Sequence, residues 1–304
     1  MITRDRGAFL RLARSLPADA GPACTRAAFL VSPDGFAPAV DSASDNRYMA
    51  ATATVERALA EHRHLHRALS RELPTLCFPG DPATPEAVFP NNVFATARVS
   101  GQGRLLIARM RHPSRAAEAD RADIRGLFTD LLGYVEHDLR ERPGVAELTG
   151  SLVIDRARGI GFCGLSNRCD EAGAHAMHDA FGLRATLLFD LAAGEYHSNV
   201  VLAVLAGRAV LIAPDGIADA EVVSAIASLY PHAFLLSTAQ RLAFAGNAIA
   251  LAPDRVWLSA RAAASLDARL RGGLAEAGFA IGAIALDEIE RAGGSLRCCV
   301  AEIF

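Results

Sequence analysis

The sequence predicts an α/β fold of about five similar units set in a circle, rather than an open doubly wound sheet. Three observations carry this expectation. Pairs of short apolar runs recur along the chain, each pair is followed by one helical stretch and then one further short strand, and the pattern returns roughly every 50–60 residues. No glycine-rich phosphate loop follows any of these strands, which disfavours nucleotide binding.

The first strand is read over 27–31, where Ala-Ala-Phe-Leu-Val runs into the turn Ser32-Pro33-Asp34-Gly35. A helix follows over about 51–69, carrying His62, His64 and His66. Residues two apart on a helix point in different directions, so only His62 and His66 can share a face. A solvated helix face is the preferred reading there, with a metal site as its rival. A strand over 75–78 leads to Phe89-Pro90-Asn91-Asn92-Val93-Phe94, in which two asparagines sit inside an otherwise apolar, strand-like stretch. Asparagine is depleted from strands and costly when buried without partners, so the pair is either a satisfied bulge or a polar patch facing a ligand.

Beyond it the chain reads as a strand over 105–110, a helix over 117–132 and a hairpin over 147–165 with Glu147 at the start of its first strand. Asp170 then caps a helix over 171–181. Strands follow over 186–189, 196–204 and 209–212, then a helix over 219–230 and a strand over 233–236. A last strand pair over 248–259 precedes a helix over 262–277, a strand over 280–286 and a terminal strand opened by Cys298.

Composition bounds the chemistry. With 304 residues and 51% hydrophobic content the chain has ample material for a core, and a net charge of −3 gives no attraction to nucleic acid or an anionic membrane. A small-molecule partner is expected, and a homo-oligomer is compatible with the sequence. All 31 basic residues are arginine, because lysine is absent. Schiff-base, P-loop and kinase-type lysine chemistries are therefore excluded. The six cysteines form neither a CxxC pair nor a zinc ladder, so they are read as reduced thiols in a cytoplasmic protein that needs no cofactor and no metal. Arginines interrupt the N-terminal apolar residues before a signal core can develop, and no apolar run is long enough to span a bilayer.

Three residues stand out as chemistry. Gly293-Gly294-Ser295-Leu296-Arg297-Cys298 places a thiol at a glycine-rich strand mouth, Tyr196-His197-Ser198-Asn199 opens a strand with a histidine, and Glu147 precedes Thr149-Gly150-Ser151. Each alone reads as ordinary packing or solvated surface. Together they are the components of a Cys-His-Glu hydrolytic site.

The order of Phe89-Pro90-Asn91-Asn92, Glu147-Leu148-Thr149-Gly150-Ser151, Leu165-Ser166-Asn167-Arg168, Tyr196-His197-Ser198-Asn199 and Gly293 to Cys298 resembles the amidinotransferase, or arginine deiminase, superfamily. Within it, the closest likeness is to the arginine-deiminase-related, citrulline-hydrolase-like branch. The resemblance runs from about residue 27 to the end and implies a five-bladed α/β propeller of ββαβ repeats. It implies a single hydrolase domain over 1–304, with residues 1–24 as an N-terminal extension. It further implies Cys298 as nucleophile, His197 as general acid/base and Glu147 as the carboxylate that steadies the histidine or the substrate. Arg168 then grips a substrate carboxylate, with Phe89, Asn91, Asn92, Asn199 and Arg297 as further substrate-binding positions.

Two departures bear on the substrate. True arginine deiminases carry aspartates where Asn91 or Asn92 and Asn199 stand, and a neutral amide suits a ureido group better than a cationic guanidinium. Relatives also have glycine where Leu148 stands, so that bulkier side chain is expected to reshape the pocket. The expected activity is hydrolysis of C–N bonds in a citrulline- or arginine-like molecule, releasing ammonia through a covalent cysteine intermediate. An arginine deiminase, a methylarginine hydrolase and a catalytically idle arginine-binding propeller are the alternatives.

Overall fold

The computed structural model describes residues 1–304. Five separate small sheets surround one axis, and each repeats the same connectivity. An inner strand pairs antiparallel with a middle strand, the chain crosses over through helical segments, and an outer strand returns parallel to the middle one. A parallel return needs such a crossover, which is why each unit contains one helical stretch between its second and third strands.

The first blade joins the two ends of the chain. Its inner strand is Ala301–Ile303, antiparallel to Ala27–Val31, which pairs with Thr75–Phe78 across the helix Val55–Leu69. The pairing of Glu302 with Ala28 closes the ring. Phe94–Val99, Gln102–Ile107 and Val135–Asp138 form the second blade. The third is Leu152–Asp155, Ile160–Leu165 and Ala185–Asp190, the fourth Leu202–Leu205, Ala209–Ile212 and His232–Leu235. The fifth is Ile249–Ala252, Arg255–Ser259 and Ala280–Ile284.

Residues at the N-terminus add to the third blade. Ile2–Thr3 lies parallel to Ala185–Asp190 as a fourth strand, and the helix Arg6–Ser15 buries Phe9 and Ala13 in the largest apolar cluster. The helix Glu171–Phe181 begins as the sequence predicts, with Asp170 accepting from Gly173 N at 2.8 Å.

Several segments differ from their sequence reading, and for a common reason. Ahead of the inner strands, stretches that read as strand are single helical turns: Pro90–Asn92, Leu148–Ser151, Ser198–Val201 and Leu296–Cys299. These residues are buried on every side near the axis, so their apolar runs carry no period that separates strand from helix. The helix expected over 117–132 is broken into short 3₁₀, α and π pieces. His62 is buried rather than solvated, His64 is exposed, and His66 Nε2 contacts Thr75 O at 3.0 Å. The three rings share no ligand position.

Candidate active site

The helical turns set the site. Asn91 stands three residues ahead of the strand that begins at Phe94, and Thr149, Asn199 and Cys298 hold the same station ahead of Leu152, Leu202 and Ala301. Asn247 stands two residues ahead of Ile249, in the blade whose inner strand carries a register shift. The chain thus delivers one polar residue per blade to the narrow waist of the channel.

These five residues are linked from blade to blade in a chain that runs from Asn91 to Cys298. Thr149 Oγ1 donates to Asn91 O at 3.0 Å, Asn199 Nδ2 donates to Thr149 O at 3.1 Å, and Asn247 Nδ2 donates to Asn199 O at 2.9 Å. Asn247 Nδ2 also lies 3.2 Å from Cys298 Sγ, and Arg297 N donates to Asn247 Oδ1 at 3.0 Å. Each bond runs from one blade to its neighbour, so the waist is stitched by side chains where no strand ladder can reach. Buried polar groups here mostly satisfy one another, Asn91 Oδ1 being the exception.

Above the waist on one side is a narrow cavity lined by Phe89, Asn92, Arg168, His197, Gly294 and Cys298, among others. Glu147 stands fully buried behind His197, and its Oε2 accepts from His197 Nε2 at 2.8 Å and from Arg168 Nη1 at 3.3 Å. Arg111 N donates to Oε1 of the same carboxylate at 3.1 Å. Burial opposes the charge on Glu147, but Arg168 and the bonded histidine outweigh it and bring its pKa down to about 2. An ionised Glu147 accepts from Nε2–H, which leaves Nδ1 as the basic nitrogen of a neutral His197; burial lowers the ring's pKa, with Glu147 opposing. Nδ1 has no protein partner, and neither has Asn92 Oδ1.

The approach of these two groups depends on Gly150. A Cβ there would fall 2.7 Å from Asn92 Oδ1 and 2.8 Å from His197 Cε1. Cys298 is buried, and desolvation pushes its thiol pKa up, against the hydrogen bonds from Ser295 and Asn247 that lower it. The resting sulfur is therefore a thiol with a neutral base available across the cavity. Cys299, on the same turn, packs into the core with its Sγ 3.5 Å from Ser295 O.

Residues 40–50 cover the cavity. Ser42 Oγ donates to Glu86 at 2.7 Å, Asn46 Nδ2 to Gly293 O at 3.4 Å, and Tyr48 Oη to Glu195 at 2.8 Å. Asp45 receives Nε and Nη2 of Arg168 at 2.9 and 2.6 Å and also meets His112 Nε2 at 3.1 Å. With Ser42 O and Glu147, four N–H groups of Arg168 are engaged. In this covered state the guanidinium expected to grip a substrate carboxylate holds the cover instead.

The structure thus brings Cys298, His197, Arg168, Asn92 and Phe89 to one cavity and sets Glu147 behind it. Asn91 and Asn199 belong to the waist, with Asn199 Oδ1 at 3.9 Å from Cys298 Sγ. Arg297 departs from its expected role: its guanidinium turns to the opposite end of the channel, donating to Glu302 at 2.9 Å and Val300 O at 2.8 Å. Leu148 also differs. Its backbone is left-handed, with φ of 28°, and its side chain packs in the core beside Ala146 and Cys163 rather than against the cavity.

Sequence reasoning missed Asn247, Glu86, the buried Arg115–Glu118 pair and the covering segment. Arg115 Nη2 and Nε reach Glu118 at 2.7 and 2.8 Å while the side chain lines the cavity. Only Asn247 carried a signal. Phe244-Ala245-Gly246-Asn247 has an asparagine just ahead of a strand pair, the context already noted for Asn199.

Residues 32–304 match the family described as N,N dimethylarginine dimethylhydrolase, eukaryotic. The chain belongs to that family. It is accordingly a member of the amidinotransferase superfamily and a hydrolase of guanidino-type C–N bonds. It is 28% identical over 264 residues to N(G),N(G)-dimethylarginine dimethylaminohydrolase of Mycobacterium tuberculosis, covering 85% of this chain and 80% of that one.

Solved structures agree on the fold. The N-terminal domain of ArgZ, an arginine dihydrolase from the ornithine-ammonia cycle in cyanobacteria, superposes with a TM-score of 0.77 at 19% identity, over 91% of this chain and 97% of that one. A dimethylarginine dimethylaminohydrolase bound to 4-chloro-2-hydroxymethylpyridine gives 0.68 at 19% identity, over 92% and 100%. No helix of the chain is long and apolar enough to cross a membrane.

Proposed function

We propose that Cys298 attacks the central carbon of a ureido or guanidino group on a citrulline- or arginine-like molecule and releases ammonia. The observation that carries this reading is the pairing of a buried thiol with a neutral histidine whose Nδ1 is free, while its Nε2 is fixed by an ionised Glu147. His197 Nδ1 takes the thiol proton as the sulfur bonds to carbon, then gives it to the departing nitrogen as the C–N bond breaks. Water next gives a proton to Nδ1 and its oxygen adds to the carbon. The C–S bond breaks, its electron pair returns to sulfur, and Nδ1 passes the proton back to the sulfur, restoring the thiol and the neutral histidine.

Asn92 Oδ1, a neutral acceptor without a partner at the cavity wall, favours a substrate that offers N–H groups without demanding a counter-charge. A substrate carboxylate displaces Asp45 from Arg168, so binding opens the cover and replaces two hydrogen bonds to one Asp45 oxygen by a bidentate pair at the same guanidinium. A second reading, a methylated arginine that loses methylamine or dimethylamine, is favoured by the family match and by the mycobacterial relative.

A panel of citrulline, arginine, methylarginines and N-acylarginines separates these readings when ammonia and released amines are both measured. Ammonia from citrulline or arginine supports the first, and methylated amines support the second. No turnover of any member returns the protein to an idle binder.

A further inference from the structure

Asn247 is absent from the Cys-His-Glu set, yet its amide lies within hydrogen-bond reach of the sulfur. Its orientation is determined by the protein. The Arg297 backbone N–H can only donate, so the atom facing it at 3.0 Å is Oδ1, and the amide nitrogen must face the other way. That nitrogen carries two hydrogens. One meets Asn199 O at 2.9 Å, with Asn199 Oδ1 beside it at 3.4 Å, and the other faces Cys298 Sγ at 3.2 Å. Asn247 is fully buried, so no water competes for the bond.

The charged and titratable groups around the sulfur do not duplicate this contact. His197, Tyr196, Arg115, Arg168 and Glu86 line the cavity, and Glu147 is held behind His197. On the sulfur's own turn, Arg297 is turned to Glu302, and Cys299 packs inward. None of these groups has a hydrogen bond to Sγ. Tyr196 Oη is committed to Gly293 O, and Arg115 to Glu118.

We propose that Asn247 is a catalytic residue that donates a hydrogen bond to the Cys298 thiolate, both when the sulfur attacks and when it departs. This rests on Cys298 being the nucleophile of the proposed reaction. In the first step the sulfur's electron pair forms the C–S bond and the contact weakens. In the second that bond breaks, the pair returns to sulfur as thiolate, and Asn247 Nδ2–H receives it. A donor fixed from the neighbouring blade needs no reorganisation at either step.

The test follows thiolate formation directly. Iodoacetamide labelling of Cys298, resolved from Cys299 by fragment mass spectrometry, is measured against pH in the full chain for wild type, Asn247→Leu and Asn247→Ser. Asn247→Leu fills the space without a donor, and Asn247→Ser keeps a polar group that is too short to reach the sulfur. Both should raise the labelling midpoint by about one pH unit, a tenfold smaller thiolate fraction below the midpoint. A merely structural role would lower the melting temperature while leaving the midpoint in place, and that result overturns the proposal. If Asn247→Leu does not fold, the midpoint of Asn247→Ser decides alone. The readout needs no turnover. A shifted midpoint in an enzyme that turns over none of the substrate panel retires the proposed function but not the Asn247–sulfur bond, and an unshifted midpoint in an active enzyme does the reverse.

Discussion

The two ends of the propeller channel carry similar residues and behave differently. At one end Arg168 and Glu147 surround His197 and Cys298; at the other Arg297 pairs with Glu302, and the Arg156 guanidinium lies 4.1 Å from the centre of the Phe304 ring. Both ends hold arginine and carboxylate near the axis. Only the first has buried polar atoms without partners, Nδ1 of His197 and Oδ1 of Asn92. At the second, the Arg297 guanidinium is met by Glu302 and Val300 O, and Arg156 donates to Thr96 O at 3.2 Å. Charge near an axis is therefore a poor marker of chemistry. Unmet hydrogen-bonding capacity beside a thiol is a better one.

The largest expected break in this contrast comes from the nucleophile and its base. Cys298→Ser and His197→Asn should each lower kcat by about a thousandfold or more, with the melting temperature within a few degrees of wild type. Comparable loss from a substitution at the opposite end would erase the distinction between them.

Glu147→Gln should cost about a hundredfold in kcat, because the amide no longer fixes the histidine tautomer as a carboxylate does. The same substitution has a signature in pH. Glu147 titrates near 2 in the folded protein and near the ordinary glutamate value when unfolded, so the unfolded chain binds more protons between those values. Its contribution is present above about pH 4.3 and lost as pH falls toward 2, on the order of 3 kcal/mol in full. His197, lowered by burial, acts in the same direction as pH drops below about 6.5. Urea unfolding at pH 6 and pH 3.5 should show a smaller difference for Glu147→Gln than for wild type.

A more modest effect is expected at the cover. Asp45→Asn weakens the two hydrogen bonds that Arg168 gives to Asp45 Oδ1, and labelling of Cys298 by iodoacetamide should accelerate by about tenfold, the equivalent of one lost hydrogen-bonded contact to a charged group. Unchanged labelling would mean that residues 40–50 do not limit access. The smallest change is predicted at the far end: Arg297→Met should leave kcat/KM within about threefold while costing about 1 kcal/mol of stability by chemical denaturation.

What could be read in the chain divides along the same line. The repeat of strand pair, helix and strand was legible where the middle and outer strands are short apolar runs bounded by turn residues; the outer strand of the second blade, Val-Glu-His-Asp over 135–138, is polar and was not legible. Cys298, His197, Glu147 and Arg168 were singled out by their order and by the resemblance that order carries. The helical turns were not legible. Residues 198–201 and 296–299 are almost wholly buried, and an apolar run buried on all sides looks the same whether it is strand or helix. The turn is what separates Cys298 from Arg297, neighbours in sequence that serve opposite ends of the channel.

By itself the sequence determined the class of fold, the number of units and which nucleophile, base and carboxylate the chain can offer. These depend on local pattern and residue type. Tertiary structure decided which polar residues meet at the waist, which arginine faces the cavity, and that Asn247 reaches the sulfur. Those outcomes depend on contacts between blades some 50 residues apart in sequence, such as the bonds from Asn199 to Thr149 and from Asn247 to Cys298, which no local pattern encodes.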